Sequence, residues 1–202
     1  MMVKQESTEE KITAAAKKVF ITKGMMGARM QDIADEAGIN KAMLHYYFRN
    51  KEKLFEKIFT EAFTSFWPQI NNILDADMPL FSKIESFCHS YIEVLLNNPY
   101  VPIFVLNELN RQPAMFIQKV WKSGPPKVGS LIQQIEIDVK KGKIKAINPV
   151  QLLLNMVSMC VFPFVAKPMF QAALGMNELQ YRQLMEIRKV EITRFIIDSI
   201  SK

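Results

Sequence analysis

Two short helical patterns separated by a glycine constrain this chain more than any other feature. Ile33 and Ala34 share one side of the first pattern, residues 30–37, and acidic side chains share the other, which is the spacing of an amphipathic helix. Gly38 follows, and glycine ends helices readily because it adopts the left-handed conformation at no steric cost. Asn40 suits the N-cap of a second helix, because its side chain accepts a hydrogen bond from a backbone N–H. We therefore predict a helix, a tight turn and a second helix.

The second helix combines an apolar pair with a polar and aromatic outer surface. Leu44 and Phe48 lie four residues apart, so they share one face and are expected in a small core. A helix-turn-helix places its second helix in the DNA major groove, where its N-terminal tip contacts base edges. The outer residues offer suitable donors, apolar groups and rings: Lys41, Ala42, Met43, His45, Tyr46 and Tyr47. The alternative is a helix pair whose polar side chains only face water.

Further helices are expected on both sides of this pair. Ser7 and Glu10 have the spacing of a capping box for a first helix, which Gly24 is expected to end. Asn50 suits the N-cap of a helix that begins near Lys51. A lysine at a helix N-terminus is a natural contact for a DNA phosphate. These signals predict a compact helical DNA-binding domain.

The stretch from Lys17 to Leu54 resembles the N-terminal domain of the TetR/AcrR family of one-component repressors. The matching blocks keep the family's spacing without a gap. In chain order they are Phe20 to Gly24 for Phe-x-x-x-Gly, residues 32–34 for Asp-Ile-Ala, residues 37–40 for Ala-Gly-Val-Ser, and residues 44–54 for Leu-Tyr-Tyr-His-Phe-x-x-Lys-x-x-Leu. Elsewhere the chain is similar to the family only in length and helical character.

Three departures from the family pattern concern residues expected to contact DNA. Ala28 and Arg29 replace a common Thr-Thr pair, so a hydroxyl cap is lost and a cation that can contact phosphate is gained. Ala42 replaces a common glycine, which favours the helix. His45 and Tyr47 exchange the family's Tyr and His. The predicted DNA-contacting set is Arg29, Gln31, Lys41, Ala42, Met43, His45, Tyr46, Tyr47 and Lys51.

The resemblance implies an all-α protein with two domains. A three-helix helix-turn-helix domain is expected over residues 1–52, and a larger helical domain for effector binding and dimerisation over residues 53–202. The implied function is that of a ligand-responsive transcriptional regulator. It would be a repressor that a small apolar or amphipathic effector releases from its double-stranded DNA operator. The alternative is a constitutive or architectural DNA-binding dimer without an effector.

Prolines and glycines divide the remainder of the chain into helical segments, without a convincing strand pattern. Helices are expected over residues 51–74 with a bend near Pro68, 79–97, 101–110, 113–121, 128–141, 150–166 and 178–200. The last two helices have more hydrophobic surface than one protomer needs. We therefore predict a homodimer through these helices, as the resemblance also implies. The alternative is an ordinary intramolecular core.

Methionine and phenylalanine are abundant, with 13 and 14 residues in the chain. Methionine fills irregular space and tolerates varied partners, and helical bundles bind ligands between their helices. We predict an apolar effector pocket lined by Phe66, Trp67, Phe87, Tyr91, Phe104, Phe116, Trp121, Met156, Met159 and Phe162. The alternative is that each of these side chains is simply core.

The charge and the cysteines limit the remaining possibilities. The formal net charge of the 202 residues is +6, which agrees with a polyanionic partner. Most of the excess lies outside the helix-turn-helix, since residues 111–146 hold 8 basic residues against 2 acidic ones. Cys88 and Cys160 are too few for a disulfide framework. We expect both to be buried small hydrophobes, and a redox sensor is the alternative.

Signals for other classes of protein are missing from the sequence. His45 and His89 are the only histidines, and no metal-spaced cluster, phosphate loop or nucleophile elbow is present. We therefore expect no enzyme activity, metal or cofactor. The N-terminus lacks a hydrophobic signal region. The apolar stretch over residues 150–166 is shorter than the ~20 residues of a membrane span, so a cytoplasmic protein without a membrane partner is expected.

Overall fold

Eleven helices make up the regular structure of the described residues. The computed structural model describes residues 7–121 and 124–202, without the side chains of Ser65 and Lys119. The helices are α1 (Thr8–Gly27), α2 (Met30–Ala37), α3 (Lys41–Tyr47), α4 (Lys51–Asp75), α5 (Leu80–Asn97), α6 (Val101–Arg111), α7 (Pro113–Val120), α8 (Val128–Lys140), α9 (Pro149–Val165), α10 (Lys167–Leu174) and α11 (Glu178–Ile200). Within these ranges the only β-type pairing is an isolated bridge between Ile144 and Ser201. The all-α class is confirmed.

The chain divides into two compact units, Met1–Thr64 and Ser65–Lys202, called here the first and the second unit. Helix α4 belongs to both. In the first unit, the ring of Phe55 packs edge-on against Phe20 of α1, with 4.8 Å between the ring centroids. The domain boundary expected after residue 52 therefore precedes part of the first unit's core, because the early turns of α4 complete that core.

Local sequence signals form the first helix as expected. The Glu10 N–H donates to the Ser7 hydroxyl at 3.2 Å, and the Ser7 N–H donates to the Glu10 carboxylate at 2.8 Å, which completes the capping box. Gly24 has a φ of +65° and interrupts α1. The buried apolar face of the helix consists of Ile12, Ala15, Ala16, Val19 and Phe20. Burial of each large side chain contributes about 1.5–3 kcal/mol.

Helices α5, α9 and α11 pack against one another in the core of the second unit. Hydrogen bonds secure the ends of neighbouring helices. The buried Lys83 ammonium donates to the Leu74 carbonyl at 3.0 Å, which satisfies a backbone acceptor in the last turn of α4. Near the start of α8, Lys127 donates to the Asp75 carboxylate at 2.7 Å and Ser130 donates to it at 2.8 Å.

Helix α10 is the one element that we did not predict. The sequence predicted no helix between residues 166 and 178, yet Pro168 lies in the first turn of a helix that Gly175 ends with a φ of +63°. The first N–H groups of a helix have no intrahelical partner, so a proline there costs no hydrogen bond. Among the described residues, no single helix has the length and apolarity to cross a membrane. Helices α9 and α10 would only do so together, and they are bent by 65°.

Candidate nucleic-acid interface and effector site

Helices α2 and α3 are joined by a turn whose geometry follows from two residues. Gly38 adopts the left-handed conformation, with φ +66° and ψ 33°. Its neighbour Ile39 donates its N–H to the Ala34 carbonyl at 3.0 Å, which closes the end of α2. The Asn40 side chain then accepts the Met43 N–H at 2.7 Å and caps α3. Both positions behave as the sequence predicted, and they fix the start of α3.

One face of α3 is buried and the opposite face is open to solvent. Leu44 is fully buried and Phe48, just after the helix, is 7% exposed, so this apolar pair packs into the first unit as predicted. Tyr46 is 85% exposed. The remaining members of the predicted set on this helix are also exposed: Lys41, Ala42, Met43, His45 and Tyr47. The structure therefore brings these six side chains together on one solvent-facing helix.

The aromatic groups of this face constrain one another. The rings of Tyr46 and Tyr47 meet edge-on with 5.5 Å between centroids. The Nδ1 atom of His45 lies 3.2 Å from the Arg49 carbonyl oxygen. Because a carbonyl only accepts, Nδ1 carries the proton, and Nε2 of the neutral ring is left as an acceptor. His45 can therefore accept from an exocyclic amino group in the major groove.

Two acidic side chains of α2 form ion pairs with lysines of α1. On α2, Asp32 pairs with Lys23 at 2.9 Å and Glu36 pairs with Lys18 at 3.0 Å. The hydrogen bond from Lys23, followed by that from the Arg29 N–H, lowers the pKa of Asp32. By contrast, the Lys41 ammonium has no ion pair within the described residues. Lys41 is therefore available to a phosphate or to a guanine acceptor.

The flanking members of the predicted DNA-contacting set differ in what they contact. Arg29 is exposed at the start of α2. The exposed Gln31 donates its amide to Asp35 at 2.7 Å. Lys51 is half-buried, and its ammonium donates to the Ala28 carbonyl at 3.1 Å. Lys51 therefore has an internal partner, which spacing in the sequence did not indicate.

Arg49 is a candidate contact that we did not identify from the sequence. It is exposed between the end of α3 and the start of α4. Asn50 caps α4 by accepting the Lys53 N–H at 2.8 Å, so Arg49 lies next to a fixed helix start. The signal that would have identified it is its position directly between α3 and the N-cap of α4.

Part of the predicted effector pocket forms one aromatic cluster in the second unit. The ring of Tyr91 lies 5.0 Å from that of Phe66 and 5.4 Å from that of Phe87, centroid to centroid. Burial raises the pKa of the Tyr91 phenol, so the hydroxyl stays neutral. Met156 is fully buried in the same core.

The other members of that predicted set lie elsewhere or differ in exposure. Phe104 and Phe116 form a separate pair with 6.3 Å between centroids, and Trp67 and Met159 are half-buried. Trp121 is 40% exposed and Phe162 is 54% exposed, so both lie at the surface of the unit and not in its interior. Residue type alone does not show on which face of its helix an aromatic residue lies, so it did not predict the exposure of these two.

Comparisons with known proteins agree with the helix-turn-helix geometry. The family "Bacterial regulatory proteins, tetR family" matches residues 12–58. The chain is 25% identical over 139 residues to the uncharacterised HTH-type transcriptional regulator YhgD of Bacillus subtilis, covering 68% of this chain and 72% of that protein. It is 39% identical over 61 residues to the HTH-type transcriptional repressor NicS of Pseudomonas putida, covering 30% of this chain and 29% of NicS.

A solved structure extends the likeness to the whole fold. The ketosteroid transcriptional regulator KstR2 of Mycobacterium tuberculosis aligns with 100% of this chain and 97% of its own, with a TM-score of 0.69 and 14% identity. At that identity the likeness concerns the fold alone. The family match thus covers the helix-turn-helix region, residues 12–58, and the structural likeness shows the all-α fold of the whole chain.

Proposed function

We propose that the protein is a dimeric repressor that inserts helix α3 of each protomer into the major groove of an operator. The observation that carries this proposal is the solvent-facing surface of α3, where Lys41, His45 and Tyr46 surround a buried Leu44. A lone helix contacts too few base pairs for specificity, whereas a two-fold dimer contacts two half-sites. Repression is the mode named for the relative NicS. The cytoplasm, where such an operator is accessible, is the proposed location.

The proposed dimer forms through helices α9 and α11, which expose large apolar side chains. On α9 these include Leu154 and Phe162, and on α11 they include Ile187 and Phe195, each between 54% and 62% exposed in the single chain. In each helix the two residues are eight apart, which is the spacing of one apolar face, and large exposed apolar side chains on one face favour a protein interface. A second copy of this chain fits because a two-fold axis brings the same four helices together.

The proposed effector is a small apolar or amphipathic molecule that binds near the aromatic cluster of Phe66, Phe87 and Tyr91. Burial raises the pKa of the Tyr91 phenol, so its hydroxyl is a neutral group beside these rings. An effector with one acceptor and an apolar body would hydrogen-bond this hydroxyl and contact the rings.

The proposed response runs through α4, since that helix belongs to both units. An effector releases the operator only if it binds more tightly to the arrangement of the dimer that does not fit DNA. Effector binding and operator binding then weaken each other by the same factor. The alternative is a constitutive DNA-binding dimer without an effector. A second unit that binds no added compound would support this alternative.

Binding to the DNA immediately upstream of the protein's own reading frame tests this function. Fluorescence anisotropy across a salt series, with a scrambled duplex as control, separates specific from non-specific binding. We expect one dimer to bind tightly and to resist the scrambled competitor. Equal, weak and steeply salt-dependent binding to both duplexes would contradict a specific site there. A thermal-stability screen of apolar compounds then tests the effector, because a ligand of the folded state raises the melting temperature.

A further inference from the structure

A proline inside α9 leaves one backbone carbonyl of that helix without its usual donor. Helix α9 continues through Pro163, and proline has no N–H to donate to the carbonyl four residues earlier, which is that of Met159. The guanidinium of Arg188 on α11 donates to this carbonyl instead, from Nε at 3.2 Å and from Nη2 at 2.9 Å. A side chain of α11 therefore completes the backbone hydrogen bonding of α9.

A second side chain of α11 binds the last turn of α9. The hydroxyl of Tyr181 donates to the Pro163 carbonyl at 2.7 Å in a buried position. Backbone carbonyls in the last turn of a helix have no intrahelical donor, so this hydrogen bond also satisfies an open acceptor. Arg188 and Tyr181 lie about two turns apart on α11, and their acceptors lie about one turn apart on α9. The two side chains together fix the register of α9 along α11.

The packing of α9 against α11 is otherwise limited. Each of these helices packs more extensively against α5 than against the other. Both carry exposed apolar side chains close to the arginine contact in sequence. Phe162 follows Met159 by three residues on α9, and Ile187 precedes Arg188 on α11. The position of these two apolar side chains relative to each other therefore depends on the hydrogen bonds of Arg188.

We propose that Arg188 is a positioning residue of the dimer interface. It holds α9 against α11 at Pro163, so that the exposed apolar side chains of the two helices form one surface for the partner protomer. This inference rests on the dimer proposed above, because it assigns a role within that interface. A guanidinium suits the role, since it presents several N–H donors in one fixed plane and stays charged. Hydrogen bonds from a charged donor are also stronger than neutral ones.

Sedimentation velocity of the full-length protein over a concentration series tests the role of Arg188. Arg188→Met keeps the apolar stem but removes every donor, so it should raise the dissociation constant of the dimer about tenfold. Tyr181→Phe removes only a hydroxyl and should raise the constant by a smaller factor. Arg182→Met is the matched control, because Arg182 is exposed on the same helix and donates to the Leu96 carbonyl of α5 at 3.3 Å. This control should dimerise as wild type does.

Replacement of the proline separates positioning from a general loss of stability. Pro163→Ala restores an N–H four residues after Met159, so the Met159 carbonyl regains a donor within its own helix. In that background Arg188→Met should raise the dissociation constant by less than about threefold, because the two substitutions act on one acceptor. A purely structural role would lower the melting temperature of Arg188→Met but leave the dissociation constant of the folded protein unchanged. Circular dichroism of each variant checks that the protein is folded.

Three results would overturn the proposal: Arg188→Met dimerises as tightly as wild type, Arg182→Met weakens the dimer equally, or Arg188→Met has the same effect with proline and with alanine at position 163. The Ile187→Glu variant distinguishes these failures from failure of the proposed dimer. If Ile187→Glu dissociates the dimer and Arg188→Met does not, the interface stands and only the role of Arg188 is wrong. If neither variant dissociates the dimer, the proposed interface is wrong as well.

Discussion

The ammonium of Lys51 donates a hydrogen bond to the carbonyl oxygen of Ala28 at 3.1 Å. Ala28 caps the end of α1 and Lys51 begins α4, so the contact joins the two helices that flank the helix-turn-helix. A hydrogen bond that involves a charged group contributes about 1.5–3 kcal/mol when it is shielded from water. Lys51 is only half-buried, and we place its contribution near the lower end.

Replacement of Lys51 by methionine should therefore lower the free energy of unfolding of the first unit by about 1–2 kcal/mol. The substitution keeps the length of the side chain but removes the donor. Urea unfolding followed by circular dichroism measures the change. Lys53→Met is the matched control, because Lys53 is exposed and its ammonium pairs, among the described residues, only with Glu56, three residues away. Equal stability of the two variants would show that the Lys51 hydrogen bond does not contribute to the free energy of unfolding.

Gly38 allows a second test of the helix-turn-helix. Its φ of +66° is strained for a residue with a side chain, yet an added Cβ would meet no atom within 4 Å. Gly38→Ala should destabilise the first unit by about 1 kcal/mol or more through backbone strain alone. Gly38→Asn should cost less, because asparagine tolerates the left-handed region better. If both substitutions lower the free energy of unfolding by the same amount, backbone strain at Gly38 is not the cause of the destabilisation.

The pH dependence of stability should report on Glu93. Its carboxylate accepts hydrogen bonds from Lys189 and, at 2.9 Å, from Asn97. The Lys189 bond, then the Asn97 bond, lowers the pKa of Glu93 from its ordinary value of 4.5. A carboxylate whose pKa is lowered by folding stabilises the folded state at any pH above its ordinary pKa. This stabilisation is lost as the pH falls through the lowered pKa of the folded state.

Glu93→Gln should therefore reduce stability by about 0.5–1 kcal/mol at pH 7, a modest amount because the carboxylate is half exposed. The difference from wild type should narrow below pH 4.5 and vanish once the wild-type carboxylate is protonated. Urea unfolding at a series of pH values measures this difference in stability between the variant and wild type. Glu85→Gln, an exposed change on the same helix, is the control. A difference that persists unchanged in acid would exclude this ion pair as its origin.

Local signals explain why much of the first unit could be predicted from the sequence. The caps at Ser7 and Asn40, the turn at Gly38 and the buried Leu44 each depend on neighbours a few residues away. The internal role of Lys51 could not be predicted in this way, because its acceptor on Ala28 is brought close only by packing of α1 against α4.

In the second unit, even more of the structure depends on packing between helices that local sequence signals do not predict. Its helix bounds follow from prolines and glycines, apart from α10, where Pro168 begins a helix instead of ending one. Which faces are buried depends on tertiary packing, so Phe162 lies at the surface. Cys88 and Cys160 are buried in the same core because α5 packs against α9, and nothing local in the sequence encodes that packing.

The proposed dimer interface makes a prediction about oligomeric state. Ile187→Glu or Phe195→Glu places a charge on the exposed apolar face of α11, so it should weaken dimerisation by at least about 2 kcal/mol, roughly thirtyfold. Sedimentation velocity over a concentration series measures this. Met115→Glu is the control, since Met115 is equally exposed but lies on α7. A dimer that tolerates both α11 variants would place the interface elsewhere.

Selection of bound sequences from a random library of DNA duplexes tests the role of α3 most directly. The wild-type protein should enrich a near-palindrome whose half-sites lie about one helical turn, or a multiple of it, apart. Lys41→Ala and Tyr46→Ala should weaken binding to that sequence by about 1–3 kcal/mol each, with unchanged melting temperatures. Met115→Ala, outside the first unit, should bind as wild type does. If no sequence is enriched, or if both α3 variants bind the selected duplex as tightly as wild type, α3 is not the recognition helix.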